Sequence, residues 1–217
     1  MIHVLGLLAK AGHGKTTAAK YLQGTYGAKI VSLATPLKRC AQKVMRFSDE
    51  QLWGTQAEKE AVDPRYGISP RTFLQRLGTE GLRGEFGPDV HVRALLELLE
   101  REDAVSEDHV VYVVDDVRFP NEVEALIGDD NIRGAVIKIV CPDAPVGAGD
   151  HASETGIDQV PEALLAATVV SSRAEGVEDL RHKIELALRK SPRLAPIMRQ
   201  MDRNRASRNL GTWEVSP

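Results

Sequence analysis

The 217-residue sequence is poor in the features that mark several protein classes. Cys40 and Cys141 are its only cysteines, so neither a disulfide framework nor a zinc-ligand spacing exists. The six histidines show no ligand pairing. Aromatics make up only 5% of residues, and 28 basic residues against 31 acidic ones leave a formal net charge of −3. Dedicated nucleic-acid binders carry a basic excess, so no nucleic-acid partner is expected. No apolar run is long enough to span a bilayer, and Met1 leads directly into a strand rather than a signal peptide, so no membrane partner is expected. These absences point to a reducing cytoplasm. Internal repeats and low-complexity segments are also missing. What remains is an ordinary enzyme composition, 42% hydrophobic and 27% charged, at a length that suits one α/β domain with insertions.

Residues 9–16 read AKAGHGKT, a phosphate-binding loop whose first glycine is replaced by Ala9. The apolar run His3–Leu8 precedes it and the helix-compatible Thr16–Leu22 follows, the strand–loop–helix context the motif requires. Gly12 and Gly14 let backbone N–H groups turn inward around a phosphate, and the helix N-terminus adds a favourable field. Lys15 is placed to reach the β- and γ-phosphates, and the Thr16 hydroxyl to ligate Mg²⁺. Residues Ala11, Gly12, His13, Gly14, Lys15, Thr16 and Thr17 form the expected nucleotide cradle. Ala9 is compatible with it provided that its φ is negative.

Four further apolar runs read as strands: 28–33, 109–115, 135–140 and 168–171. They alternate with helical patterns, which implies βαβ units and a mainly parallel sheet. A helical insertion is expected over 35–107. Within it Ser69-Pro70 and Pro88 mark helix starts, and Val92, Leu95, Leu96 and Leu99 recur at helical spacing. The segment 142–161, rich in Pro, Gly and Asp at its start, reads as a mobile loop or lid. The main domain is expected to end at residue 190. Beyond it, 191–217 holds five arginines and three prolines and reads as a solvated, partly ordered tail.

The strand 109–115 runs into Asp115-Asp116-Val117-Arg118-Phe119-Pro120-Asn121-Glu122. Carboxylates at the C-terminal end of a buried strand lie where open α/β sheets bind ligands. Either Asp115 or Asp116 can complete a Mg²⁺ site, since strand neighbours point to opposite faces and regular alternation lets only one face the loop. Arg118 fits a phosphate clamp or a surface ion pair. On the helix from Pro70, Phe73, Leu74 and Leu77 share one flank, while Arg71, Gln75 and Thr79 recur every fourth residue on another, with Arg83 near its edge. Taken alone, such a face reads first as a solvated one; its residue types also suit binding, since arginine matches a phosphate bidentately and glutamine hydrogen-bonds a base or sugar.

Taken together, these segments resemble the phage-type deoxynucleoside monophosphate kinases of the phosphate-loop kinase superfamily, over roughly residues 5–188. Leu33-Ala34-Thr35-Pro36-Leu37-Lys38 is similar to the family's Phe-Ala-Asp-Pro-Leu-Lys segment. Pro70 to Arg83 looks like its acceptor-side helix, Asp116 to Glu122 is the most specific match, and His151-Ala152-Ser153-Glu154 resembles the lid's His-x-Ser-Glu element. Departures are Ala9, Thr35 in place of an acid, and His91 where relatives usually carry tryptophan.

The resemblance implies a three-layer α/β P-loop kinase fold with a five-stranded parallel sheet, a helical acceptor-binding insertion and a lid. It implies ATP and Mg²⁺ as cofactors, a deoxynucleoside monophosphate as the acceptor, and a cytoplasmic location, the host's if the chain is phage-encoded. Lys15, Asp116 and Arg118 are the expected catalytic residues, and Thr16, Asp115 and Asp116 the metal ligands. The substrate residues are Lys38, Arg71, Gln75, Thr79, Arg83, His151 and Glu154. A homodimer is compatible with the sequence. Two other readings stay open. One is another small-molecule kinase, such as a dephospho-coenzyme A kinase. The other is a nucleotide-dependent switch or binding module, although the Asn-Lys-x-Asp and Asp-x-x-Gly motifs of a GTPase switch are absent.

Overall fold

The computed structural model describes residues 1–10, 12–104, 109–144 and 156–210. These divide into two compact units, Met1–Ser32 with Leu99–Pro217, and Leu33–Leu98.

The first unit is built on five strands, β1 (Ile2–Leu8), β2 (Lys29–Val31), β3 (Val111–Val117), β4 (Ile132–Val140) and β5 (Ala167–Val170). All pair in parallel, in the order β2-β3-β1-β4-β5. The expected five-stranded parallel sheet is therefore present. Its strands are rich in Val, Ile and Leu because both faces are covered. One face packs against α1 (Lys15–Tyr26), and against two C-terminal helices, here α9 (Gly176–Lys190) and α10 (Ala195–Leu210). The core on this side joins Leu5, Leu7, Val113, Ile137 and Val169 to Ala19, Leu22, Leu180 and Ile184. The other face carries α8 (Pro120–Gly128), whose Leu126 carbonyl lies so near β4 that a Cβ on Gly134 would meet it at 1.6 Å. Only glycine fits there.

The tail departs from expectation. Residues 195–210 form α10, and Leu194, Ile197, Met198 and Met201 are buried in the main core. Their spacing of three, four and seven is a helical stripe that the surrounding arginines obscure. Arg193 adds backbone contacts, donating to the carbonyls of Ala163 and Leu165.

The second unit contains α2 (Thr35–Met45), α3 (Asp49–Trp53), α4 (Gln56–Glu60), α5 (Pro70–Arg76), a π-helical turn (Leu77–Arg83) and α6 (Gly84–Phe86), and it takes in the start of α7 (Val90–Ala104). Ser48 and Thr55 cap α3 and α4 through reciprocal bonds with Gln51 and Glu58. Ser69 caps α5, with Pro70 in its first turn, as read from the sequence. A small core of Ala41, Phe47 and Leu52 receives Phe73 and Leu74, the apolar flank of α5. Val92, Leu95, Leu96 and Leu99 of α7 are all buried. Among the described residues no helix is long and apolar enough to cross a membrane.

Candidate active site

The sheet order reverses at β1 and β3, because the chain steps from β1 to β2 on one side and from β3 to β4 on the other. In open α/β sheets such a switch point is where ligands bind, beyond the strand C-termini. The loop that follows β1 and the acidic end of β3 both lie there.

Gly12 has φ 77° and Gly14 φ 92°, both in the left-handed region that favours glycine. A Cβ on Gly14 would also meet Leu180 of α9 at 2.7 Å. Gly14 is the N-cap of α1, and its carbonyl accepts from Ala18 N–H at 2.9 Å. Ala9 has no positive φ, since Arg46 is the only non-glycine residue with one among those described. Its methyl is buried in the main core, and its carbonyl accepts from Lys15 Nζ at 3.0 Å. Alanine in place of the usual glycine thus needs no positive φ and gains a buried methyl group. His13 accepts the backbone N–H of Cys141 on Nδ1 at 3.1 Å, fixing the loop to the end of β4. Thr16 is exposed and Thr17 half-buried at the start of α1; Ala11 lies outside the described residues.

At the end of β3 the pairing is irregular. Gly6 stands opposite Val114 and Leu8 opposite Val117, so β3 takes three steps where β1 takes two. This is a β-bulge at Asp115 and Asp116. Val113 lies in the core against α1. Val117 faces α8, because its Cγ2 is 3.2 Å from where a Gly6 Cβ would stand, beside Leu126 at 3.3 Å. Counting forward from Val113 puts Asp115 on the α1 side, and counting back from Val117 puts Asp116 there too. Regular alternation would let only one carboxylate face the loop; the bulge removes that restriction. Both carboxylates are half-buried.

Beyond the bulge, Glu122 is buried and its carboxylate accepts from the backbone N–H groups of Arg118 at 2.8 Å and Phe119 at 3.1 Å. Sequence reasoning assigned it no separate role. The available signal was Pro120 at a helix start with a glutamate two residues on. Glu122 sets the chain path that carries Arg118. A Cβ on Gly156 would strike the Phe119 ring at 2.5 Å, so glycine is required there as well.

The described ends of the segment 142–161 are tied down. Asp143 accepts from Cys141 Sγ, Ser172 Oγ and the backbone N–H groups of Arg173 and Ala174. These donors, the thiol first, hold its carboxyl well below the usual carboxylate range, while the Asp143 carboxylate and burial push the Cys141 thiol up. Ile157 and Val160 are buried, and Asp158 pairs with Lys10 at 2.6 Å. His151 and Glu154 lie outside the described residues.

In the second unit Arg71, Gln75 and Thr79 are exposed and Arg83 is half-buried. Arg71 pairs with Glu60 at 3.3 Å, and Lys38 lies 5.8 Å from the centre of the Trp53 ring. The π turn over Leu77–Arg83 changes the expected face. An α-helix turns about 100° per residue, which would fan Arg71, Gln75, Thr79 and Arg83 through about 120°. A π-helix turns only about 82° per residue, which narrows the fan to about 45°. Arg83 moves from the edge of the stripe into line with Arg71.

Among the described residues no group of three His, Cys, Asp or Glu side chains could hold a metal ion. Mg²⁺ needs fewer protein ligands, since it binds through one or two carboxylates plus substrate phosphates and water. Thr16, Asp115 and Asp116 carry oxygen donors of the type that such binding uses.

No protein-family model matches the chain. A protein of Acanthamoeba polyphaga mimivirus named "Putative deoxynucleotide monophosphate kinase" is 36% identical over 166 residues, covering 72% of this chain and 83% of that protein. Among solved structures, TT1252 from Thermus thermophilus overlaps 87% of this chain and 97% of its own at 16% identity and a TM-score of 0.49. An unliganded sugar kinase from Janibacter sp. HTCC2649 overlaps 89% and 98% at 15% identity and a TM-score of 0.43. Both overlaps are loose, and neither bears on function. The sequence relative, by its identity and coverage, decides the matter: the chain belongs to the deoxynucleotide monophosphate kinase family, a family of nucleotide kinases.

Proposed function

We propose that the chain transfers the γ-phosphoryl group of ATP to a deoxynucleoside 5′-monophosphate, giving ADP and the deoxynucleoside diphosphate. The observation that carries this reading is the pairing of an intact Gly-Lys-Thr loop with two strand-end carboxylates at the switch point of the sheet. The name of the mimiviral relative supports the choice of acceptor.

The acceptor is already a phosphate anion, so no strong general base is needed. Catalysis reduces to alignment and charge neutralisation. Backbone N–H groups of residues 12–17 hold the donor phosphates, and Lys15 follows the γ-phosphoryl group as charge builds on it. Thr16, Asp115 and Asp116 would hold Mg²⁺, which when bound neutralises charge on the β- and γ-phosphate oxygens. Arg118, on a backbone fixed by Glu122, supplies a further cation. Arg71 and Arg83 bind the acceptor phosphate, Lys38 assists, and Gln75 and Thr79 read the sugar or base.

A coupled assay of ADP release with Mg·ATP tests this over a panel of nucleoside and deoxynucleoside monophosphates. Turnover is expected only with an added monophosphate, and fastest with a deoxynucleotide. Equal turnover with and without every acceptor would favour a nucleotide-dependent switch.

A further inference from the structure

His91, at the start of α7, donates from Nε2 to the carbonyl of Gly78 at 3.0 Å. Gly78 stands at the second position of the π turn and is buried. A Cβ there would lie 3.2 Å from Leu37 and 3.5 Å from the same His91 Nε2, so helix and imidazole are closely packed. Burial lowers the His91 pKa, while the Gly78 hydrogen bond raises it; a carbonyl can only accept, so Nε2 is the nitrogen that carries the proton in this contact.

The direction of that carbonyl depends on the helix type. In a π turn Gly78 C=O points to the N–H five residues on; in an α turn it points to the N–H four residues on. Return to α geometry would swing it off His91 and fan Thr79 and Arg83 away from Arg71 and Gln75. All of these residues belong to the Leu33–Leu98 unit.

We propose that His91 is a positioning residue for the acceptor: its bond to Gly78 holds the π turn that gathers Arg71, Gln75, Thr79 and Arg83 into one stripe. The proposal rests on the acceptor reading given above for that stripe. It assigns a task to the imidazole at a position where the family resemblance implies tryptophan, which has a different shape and a different donor placement.

The test compares the full chain with His91→Ala, and with His91→Gln, whose side-chain amide N–H has about the reach of Nε2. His91→Leu, which keeps bulk without a donor, replaces His91→Ala if the latter folds poorly. Amide hydrogen exchange over 79–84 should quicken tenfold or more without the donor and return towards wild type in His91→Gln. The KM for the preferred monophosphate should rise about fivefold, the effect of one lost neutral hydrogen bond. The KM for ATP and kcat should stay within about twofold, and adding His91→Ala to Arg83→Ala should raise the acceptor KM no further. Unchanged exchange in every variant overturns the positioning role. Faster exchange with an unchanged acceptor KM overturns its link to substrate. A wild-type chain that phosphorylates no monophosphate overturns the kinase reading and the acceptor role together, while the exchange data alone still decide whether His91 holds the turn.

Discussion

Lys15 donates from Nζ to the carbonyl of Ala9 at 3.0 Å, joining the last part of the phosphate loop to its first residue. The contact places the ammonium group over the loop. Lys15→Ala should lower kcat by about 10²–10³ or more for every acceptor alike, the scale of losing one preorganised charge-stabilising group. Steady-state kinetics over several monophosphates check this, and an effect confined to one acceptor would contradict it.

Restoring the usual glycine at Ala9 should not improve the enzyme. The buried methyl contributes about 0.8 kcal/mol, and glycine adds about 0.5–1 kcal/mol of backbone entropy to the cost of folding. Ala9→Gly is therefore expected to lose about 1–2 kcal/mol in denaturant unfolding with kcat little changed.

The bulge at Asp115 and Asp116 predicts that both carboxylates matter. Asp115→Asn and Asp116→Asn should each weaken the Mg²⁺ dependence of turnover, by roughly tenfold or more in the Mg²⁺ concentration needed. A regular strand would leave one of them silent, so a magnesium titration of the two variants separates the geometries.

Arg71→Ala should raise the acceptor KM by on the order of 30-fold, from the roughly 2–5 kcal/mol cost of truncating one partner of a desolvated charge pair. ATP binding should be nearly unchanged. Gln75→Ala should reorder the bases more than it lowers the overall rate. A kinetically silent Arg71→Ala would make the stripe a solvated face.

Asp63 and Asp143 anchor the two units separately, and both are held well below the usual carboxylate range. For Asp63 the chief cause is the Arg65 side chain, and for Asp143 the Cys141 thiol. A depressed folded pKa gives stability that is complete above the unfolded value, about 3.9, and is lost as pH falls towards the folded one. The thermal midpoint should decline below about pH 4. Asp143→Asn and Asp63→Asn should each start lower at pH 7 and decline less steeply, as read by thermal unfolding at pH 7 and pH 3.

Much of this was legible from residue order. Gly-Lys-Thr after an apolar run identifies the loop, and the cap at Ser69-Pro70 appears as its pattern puts it; the strands form on the expected runs with shifted ends, β3 running on to Val117 and β4 starting at Ile132. Three features were hidden for separate reasons. The bulge is a matter of register between β1 and β3, and the Asp115-Asp116 pair looks the same with or without it. The π turn depends on where the Gly78 carbonyl finds donors, and one donor, His91, lies thirteen residues on. The stripe Leu194, Ile197, Met198 and Met201 was visible in principle, but five arginines dominate the composition of that segment.

The fate of a labelled phosphoryl group tests the proposed transfer most directly. With [γ-³²P]ATP, Mg²⁺ and a deoxynucleoside monophosphate, the label should appear in the deoxynucleoside diphosphate in step with ADP formation, and Lys15→Ala should slow that transfer by about 10²–10³ or more. Label released only as inorganic phosphate, at a rate indifferent to the monophosphate, would contradict it.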